Sequence, residues 1–185
     1  MIGFYFAFLG VLLSGLGARD QLLVAALSRV QGQRPGVLIV ALGVSIATAC
    51  VAAWLATFIV PMLGPEARGF LAGLALLLGG AESLILSPRK APEEPTRSLA
   101  ALAIVLASHQ LTDAARFVIF GIAVGTNAPV PAAIGGAIGG MVLAAGAWAA
   151  PEAIAHPRLR LARRLVGGGL VLVGLYAGLS AIGKI

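Results

Sequence analysis

Between Gly36 and Val60 the chain carries no charged residue, and the same holds for its first 18 residues and for Val130–Ala150. Uninterrupted apolar runs of this length match a helix crossing the hydrocarbon of a bilayer, which takes about 20 residues. Composition agrees: of 185 residues 59% are hydrophobic and 11% charged, with 25 glycines, far from the balance of a soluble domain. The formal net charge of +6 does not signal nucleic acid, because the basic residues fall in short gaps between apolar runs, where they report orientation. The lone cysteine, Cys50, rules out an internal disulfide and reads as a small buried hydrophobe. No basic segment precedes Ile2–Gly17 and no small-residue cleavage pattern follows it, so the first run is expected to be a retained span.

Six spans follow from the pattern, giving an all-α membrane protein in a single transmembrane domain, 1–185. Helix one covers Ile2 to Val30, helix two Gly36 to Val60, and helix three Gly69 to Leu86. Helix four covers Ser98 to Gly125, helix five Val130 to Ala150, and helix six Leu165 to Gly183. Residues 87–97 form a linker with three prolines and five charges, which favours an extended, exposed segment. The halves, 1–86 and 98–185, repeat one another: Asp20 aligns with Asp113 at an offset of 93, Pro35 with Pro129 and Trp54 with Trp148 at 94, and Arg68-Gly69 with Arg163-Arg164 at 95. Three helices per repeat is odd, so the two repeats are expected to be inverted, the plan of many secondary transporters. Arg29, Arg34, Arg89, Lys90, Arg97, Arg158, Arg160, Arg163 and Arg164 gather on one side, against Arg68 and Lys184 on the other. Positive-inside logic places the first set in the cytoplasm and both termini outside it, in a multi-pass protein of the bacterial inner membrane. The basic run 158–164 then reads as a headgroup anchor, His156 as solvated, and Glu82 as an interfacial acid needing no partner. Gly-x-x-x-Gly spacings at Gly69/Gly73, Gly135–Gly140 and Gly174/Gly178 predict close helix packing.

Two polar stretches interrupt this pattern: Gly15-Leu16-Gly17-Ala18-Arg19-Asp20-Gln21 and Ser108-His109-Gln110-Leu111-Thr112-Asp113. Ionisable groups at membrane depth are costly, and each marks a functional-site hypothesis. Asp113 and Arg116 are three apart and share a helix face. Asp20 has no basic residue three or four positions away, and alone at the bilayer centre it would cost about 2.5–3.5 kcal/mol. The expectation is that Asp20 finds Arg116 or another helix-four donor, and that Arg19 finds Asp113. Asp20, Asp113, Gln21, Gln110 and Thr112 are the candidate substrate-binding residues. Arg19 and Arg116 form the ion-pair network. His109, whose free imidazole titrates near pH ~6.5, is the candidate proton relay, with a hydrogen-bonded core residue as the competing reading.

The layout resembles the Golgi divalent-cation transporter (Gdt) family of cation/proton exchangers, within the lysine-exporter-like superfamily. That family carries Glu-x-Gly-Asp-Lys-Thr/Ser, often followed by Gln, in the first helix of each of two inverted repeats. Here Gly17 and Gln21 match, Arg19 keeps the lysine charge and Asp20 stands at the Thr/Ser position; Gly15 replaces the glutamate and Ala18 the aspartate. In the second copy Asp113 again takes the Thr/Ser position and no signature residue is kept. The resemblance implies six helices and transport of Mn²⁺ or Ca²⁺ as substrate. The family's two motifs sum to a charge of about −2, suited to a hard divalent cation, whereas Asp20, Asp113, Arg19 and Arg116 sum to zero, so the metal is left unknown. The expected function is secondary transport, by ion or cation/proton exchange, without a cofactor. The alternative is a non-transporting relative or assembly partner whose charges form a static lock. Nothing suggests an enzyme: no phosphate-binding glycine loop or Ser/His/Asp set is visible. The bilayer is the expected partner, nucleic acid is not, and homo-oligomerisation is left open.

Overall fold

The computed structural model describes residues 1–86, 97–154 and 156–184, so most of the predicted linker lies outside the described residues. Among the described residues the chain is entirely helical. In order come α1 (Ile2–Gly15), α2 (Arg19–Gln31), α3 (Pro35–Ile59) with a 3₁₀ turn at Val60–Met62, α4 (Pro65–Ile85), α5 (Leu99–Leu111), α6 (Ala114–Gly125), α7 (Pro129–Ala149), α8 (Pro151–Ile154) and α9 (Pro157–Ala181). Proline stands in the first turn of α3, α4 and α7, where its missing N–H is no loss. Pro35–Met62, Pro65–Ile85, Pro129–Ala149 and Arg158–Ala181 are long and apolar enough to cross a membrane. The pairs α1–α2 and α5–α6 meet that test only together, bent by 62° and 55° at their breaks. The chain therefore has four candidate spans, or six if each bent pair counts as one, and its apolar helices fit a membrane protein.

Two expected helices are thus broken. Helix one stops at Gly15 and restarts at Arg19; helix four stops at Leu111 and restarts at Ala114. Gly17 allows the first bend, with a φ of +70° that a side chain would strain. Helix six begins eight residues before the expected start, because the His156 side chain accepts from the Arg158 N–H and caps it. The supposed basic connection is therefore the first part of α9. Cys50 is exposed, on the outer surface of α3 that also bears Ile39, Ile46, Trp54 and Phe58; apolar side chains facing outward belong on a lipid-facing wall.

Inside, three apolar clusters stack along α3. One holds Val24, Leu27, Val37, Ala41, Leu102, Leu106, Ala144 and Ala147. The next holds Val11, Ala49, Ala52, Ala115, Ile119 and Ala137, and the last Ala7, Ala56, Val60, Ala123, Val124 and Ala132. Ser45 and Thr48, both buried, lie between the first and second clusters, near the middle of this 25-residue helix. They share a face and mark a polar layer within an apolar stack.

α4 and α9 lie against each other along their length. A Cβ on Gly73 would sit 2.6 Å from the Gly178 nitrogen, and one on Gly80 would sit 2.7 Å from the Gly167 oxygen. This seam is backbone against backbone, as small residues permit in lipid. Gly135 and Gly139 of α7 meet the α1 backbone at Phe4 and Phe8 in the same way. α3 packs on α7, α1 on α7, and α3 on α5 and α6.

Candidate functional site

Each break exposes helix ends whose N–H and C=O groups have no partner within the helix, and in lipid no water is at hand to satisfy them. The polar stretches do so. At the first break the Gln21 side chain turns back: its Oε1 accepts from the Gly17 N–H at 2.7 Å, while its Nε2 donates to the Leu143 carbonyl of α7 at 3.1 Å. Asp20 Oδ1 accepts from the Gln21 N–H at 2.8 Å. At the second break the Thr112 hydroxyl donates back to the Ser108 carbonyl at 3.1 Å. Asp113 caps α6, accepting from the Ala115 N–H at 3.4 Å, and Glu82 of α4 accepts from the Ala114 N–H at 3.3 Å. Two carboxylates thus meet the positive end of the α6 dipole, a favourable placement.

The two breaks touch. Arg19 Nη2 donates to Thr112 Oγ1 at 3.2 Å, and Gln110 Nε2 donates to Asp20 Oδ2 at 2.8 Å. Gln110 is almost fully buried and uses both ends of its amide. Its Nε2 also lies 3.2 Å from Ser45 Oγ. Its Oε1 accepts from Thr48 Oγ1 at 2.8 Å and from Arg116 Nη2 at 2.6 Å. Arg116, 5% exposed, is held by neutral oxygens: Thr48 Oγ1 at 2.7 Å and the Ser45 carbonyl at 3.4 Å complete its set. Asp20 therefore does find a helix-four donor, but Gln110 stands between it and Arg116.

A second cluster lies beside the first. Arg163 of α9 places Nη2 2.5 Å from Glu82 Oε2 and 3.0 Å from Asp113 Oδ1. Arg19 lies 3.5 Å from Glu82 Oε1. Three expectations are corrected here. Asp113 pairs with Arg163, not with Arg116 or Arg19. Arg19 turns to Glu82 and Thr112. Glu82 does not stand without a partner: it and Arg163, 7% and 3% exposed, bind each other through a charge-assisted contact. His156 is exposed at the α9 cap. His109 sits half-buried on the last turn of α5.

In all, three carboxylates (Asp20, Glu82, Asp113) face three guanidiniums (Arg19, Arg116, Arg163), a neutral set like the one counted from sequence but with one more pair. No group of three or more His, Cys, Asp or Glu suited to a metal occurs among the described residues. Ser45, Thr48, Glu82 and Arg163 were missed as site residues. Their signals were present: Ser45 and Thr48 are three apart in an uncharged span, and Arg163 stands four before Gly167 on the glycine-lined face of α9. Comparison of the chain with protein-family models, with curated proteins and with solved structures returns no match.

Proposed function

We propose that this chain is a secondary transporter whose site lies where the two helix breaks meet. The observation that carries the reading is the pair of contacts across the breaks, Arg19 to Thr112 and Gln110 to Asp20. Discontinuous helices whose broken ends converge on a shared polar site are the usual device of transporters built from inverted repeats. The order bent pair, straight helix, straight helix occurs twice along the chain, α3 packs on α7, and α4 packs on α9. This supports two inverted repeats, six spans and a Gdt-like layout. Asp20 and Asp113 are the exchanging groups in this reading, ion-paired or hydrogen-bonded when empty and protonated or cargo-bound during turnover. His109 relays protons, and Gln21 and Thr112 hold the two breaks open. The neutral charge set favours exchange of a cation against a proton over tight holding of a free divalent ion.

A second reading is favoured by one observation: Nε and Nη2 of Arg116 and both ends of the Gln110 amide are engaged by neighbouring side chains, as in a static lock. Flux separates the two. Proteoliposomes carrying the purified chain are given Mn²⁺ or Ca²⁺ under a pH gradient. The transport reading expects ion uptake coupled to proton movement, abolished in Asp20→Asn and in Asp113→Asn. If no ion moves, and the paired substitutions leave cell growth intact, transport is excluded and the lock stands.

A further inference from the structure

Next to the charge network is a cavity of about 260 Å³ between Gly17 at the first break, Ser83 near the end of α4, and Arg160, Arg163 and Arg164 at the start of α9. Three arginines and no acid line it among the described residues. Arg160 and Arg164 are one helical turn apart on the same face, both are exposed, and neither makes an ion pair among the described residues. Two buried groups on its wall are incompletely satisfied. Among the described residues, Ser83, 3% exposed, has no hydrogen-bond partner for its Oγ; Arg163, equally buried, gives Nη2 to Glu82 and Asp113 but has no partner there for Nε and Nη1. Buried polar groups are nearly always hydrogen-bonded, so such exceptions call for an explanation. Behind the two arginines at the mouth, the Ser83 hydroxyl and the Arg163 guanidinium complete a donor set in which the carboxylates that touch Arg163, those of Glu82 and Asp113, are both met by its Nη2.

We propose that this cavity binds a small oxyanion of the phosphate type. Its volume lies below the ~300–1,000 Å³ of pockets for drug-sized ligands, which suits a single phosphate group. Guanidinium N–H groups match phosphate oxygens in geometry as well as charge, and Leu22, Leu84, Leu86, Ile154 and Leu159 would flank the anion with apolar surface. The same chemistry serves free inorganic phosphate and the phosphate of an anionic lipid headgroup. The site shares Arg163 and Gly17 with the charge network, but it does not depend on transport.

The test uses the full chain in detergent, delipidated, with thermal unfolding followed as inorganic phosphate is added against chloride at equal ionic strength. In parallel, native mass spectrometry follows retention of phosphatidylglycerol against phosphatidylcholine. The proposal expects saturable stabilisation by phosphate, or selective retention of phosphatidylglycerol, with affinity falling about tenfold in Ser83→Ala and in Arg164→Gln. Both substitutions leave the Arg163 ion pairs in place, and Arg160→Gln, at the exposed rim, serves if either fails to fold. Phosphate that binds and is not displaced by lipid identifies the free ion; phosphatidylglycerol that binds and excludes phosphate identifies a headgroup. The proposal is overturned if neither probe acts beyond its control, or if the variants bind as the wild type does.

Discussion

Gln110 and Arg163 are the two side chains on which the buried charges depend, and they fail differently. Replacing Gln110 with Leu leaves Asp20, Arg116 and Ser45 each without a partner they now have. At about 1–3 kcal/mol for each buried polar group left unsatisfied, Gln110→Leu is expected to cost several times what an ordinary apolar exchange costs, read as a lowered midpoint in detergent unfolding. Arg163→Met removes one member of a buried ion cluster and strands two carboxylates, which should cost about 3–5 kcal/mol. Adding Glu82→Gln and Asp113→Asn to Arg163→Met removes the stranded charges, so the triple variant is expected to regain part of that loss. A triple variant no more stable than the single one would show that the pairing contributes nothing specific. Gly17→Ala forces a side chain into a left-handed backbone and should cost about 1–2 kcal/mol.

At the scale of elements, the α4–α9 seam gives the sharpest expectation. Gly73 and Gly80 have backbone atoms of α9 where a Cβ would go, whereas Gly43 has nothing within 4 Å. Overpacking a close contact costs about 1–3 kcal/mol or more, so Gly80→Val should destabilise by at least that much and Gly43→Ala should be nearly silent, both measured by thermal unfolding. The apolar helices were legible from hydropathy, with starts expected at Gly36 and Val130 one residue after the true ones at Pro35 and Pro129, whereas α4 begins at Pro65, four residues before the expected Gly69. The breaks were not, because Leu16-Gly17-Ala18 and Leu111-Thr112-Asp113 change neither length nor apolar content enough to register. What signals them is local: a glutamine four residues after a glycine, and a Thr-Asp pair able to close one helix and cap the next. Glu82 and Arg163 lay near the ends of their apolar runs, where an interfacial position satisfies a charge as well as a buried partner does. Only the fold brings them within ion-pair distance of each other. Asp20, Gln110 and Arg116, deep within runs, were legible for the opposite reason: no interface was near enough to take them.

For the whole molecule, the six-span, inverted reading makes a claim about sidedness. In a Cys50→Ala background, Ile2→Cys and Lys184→Cys are expected to react with a membrane-impermeant maleimide from outside the cell, and Arg158→Cys only after the membrane is opened. Labelling of Ile2 and Lys184 from opposite sides would mean an odd number of crossings and would end the two-repeat reading.

The glycine seam between α4 and α9 bears on how such a molecule could move. Where helices interlock through large side chains, sliding requires each one to leave its groove. At Gly73 the two helices meet at bare main chain, but Val171 fills the notch at Gly80, Leu84 the one at Gly167 and Leu77 the one at Gly174, so the seam has teeth of its own. The two helices are therefore expected to travel together as one body, tied at the end of the seam by the charged cluster.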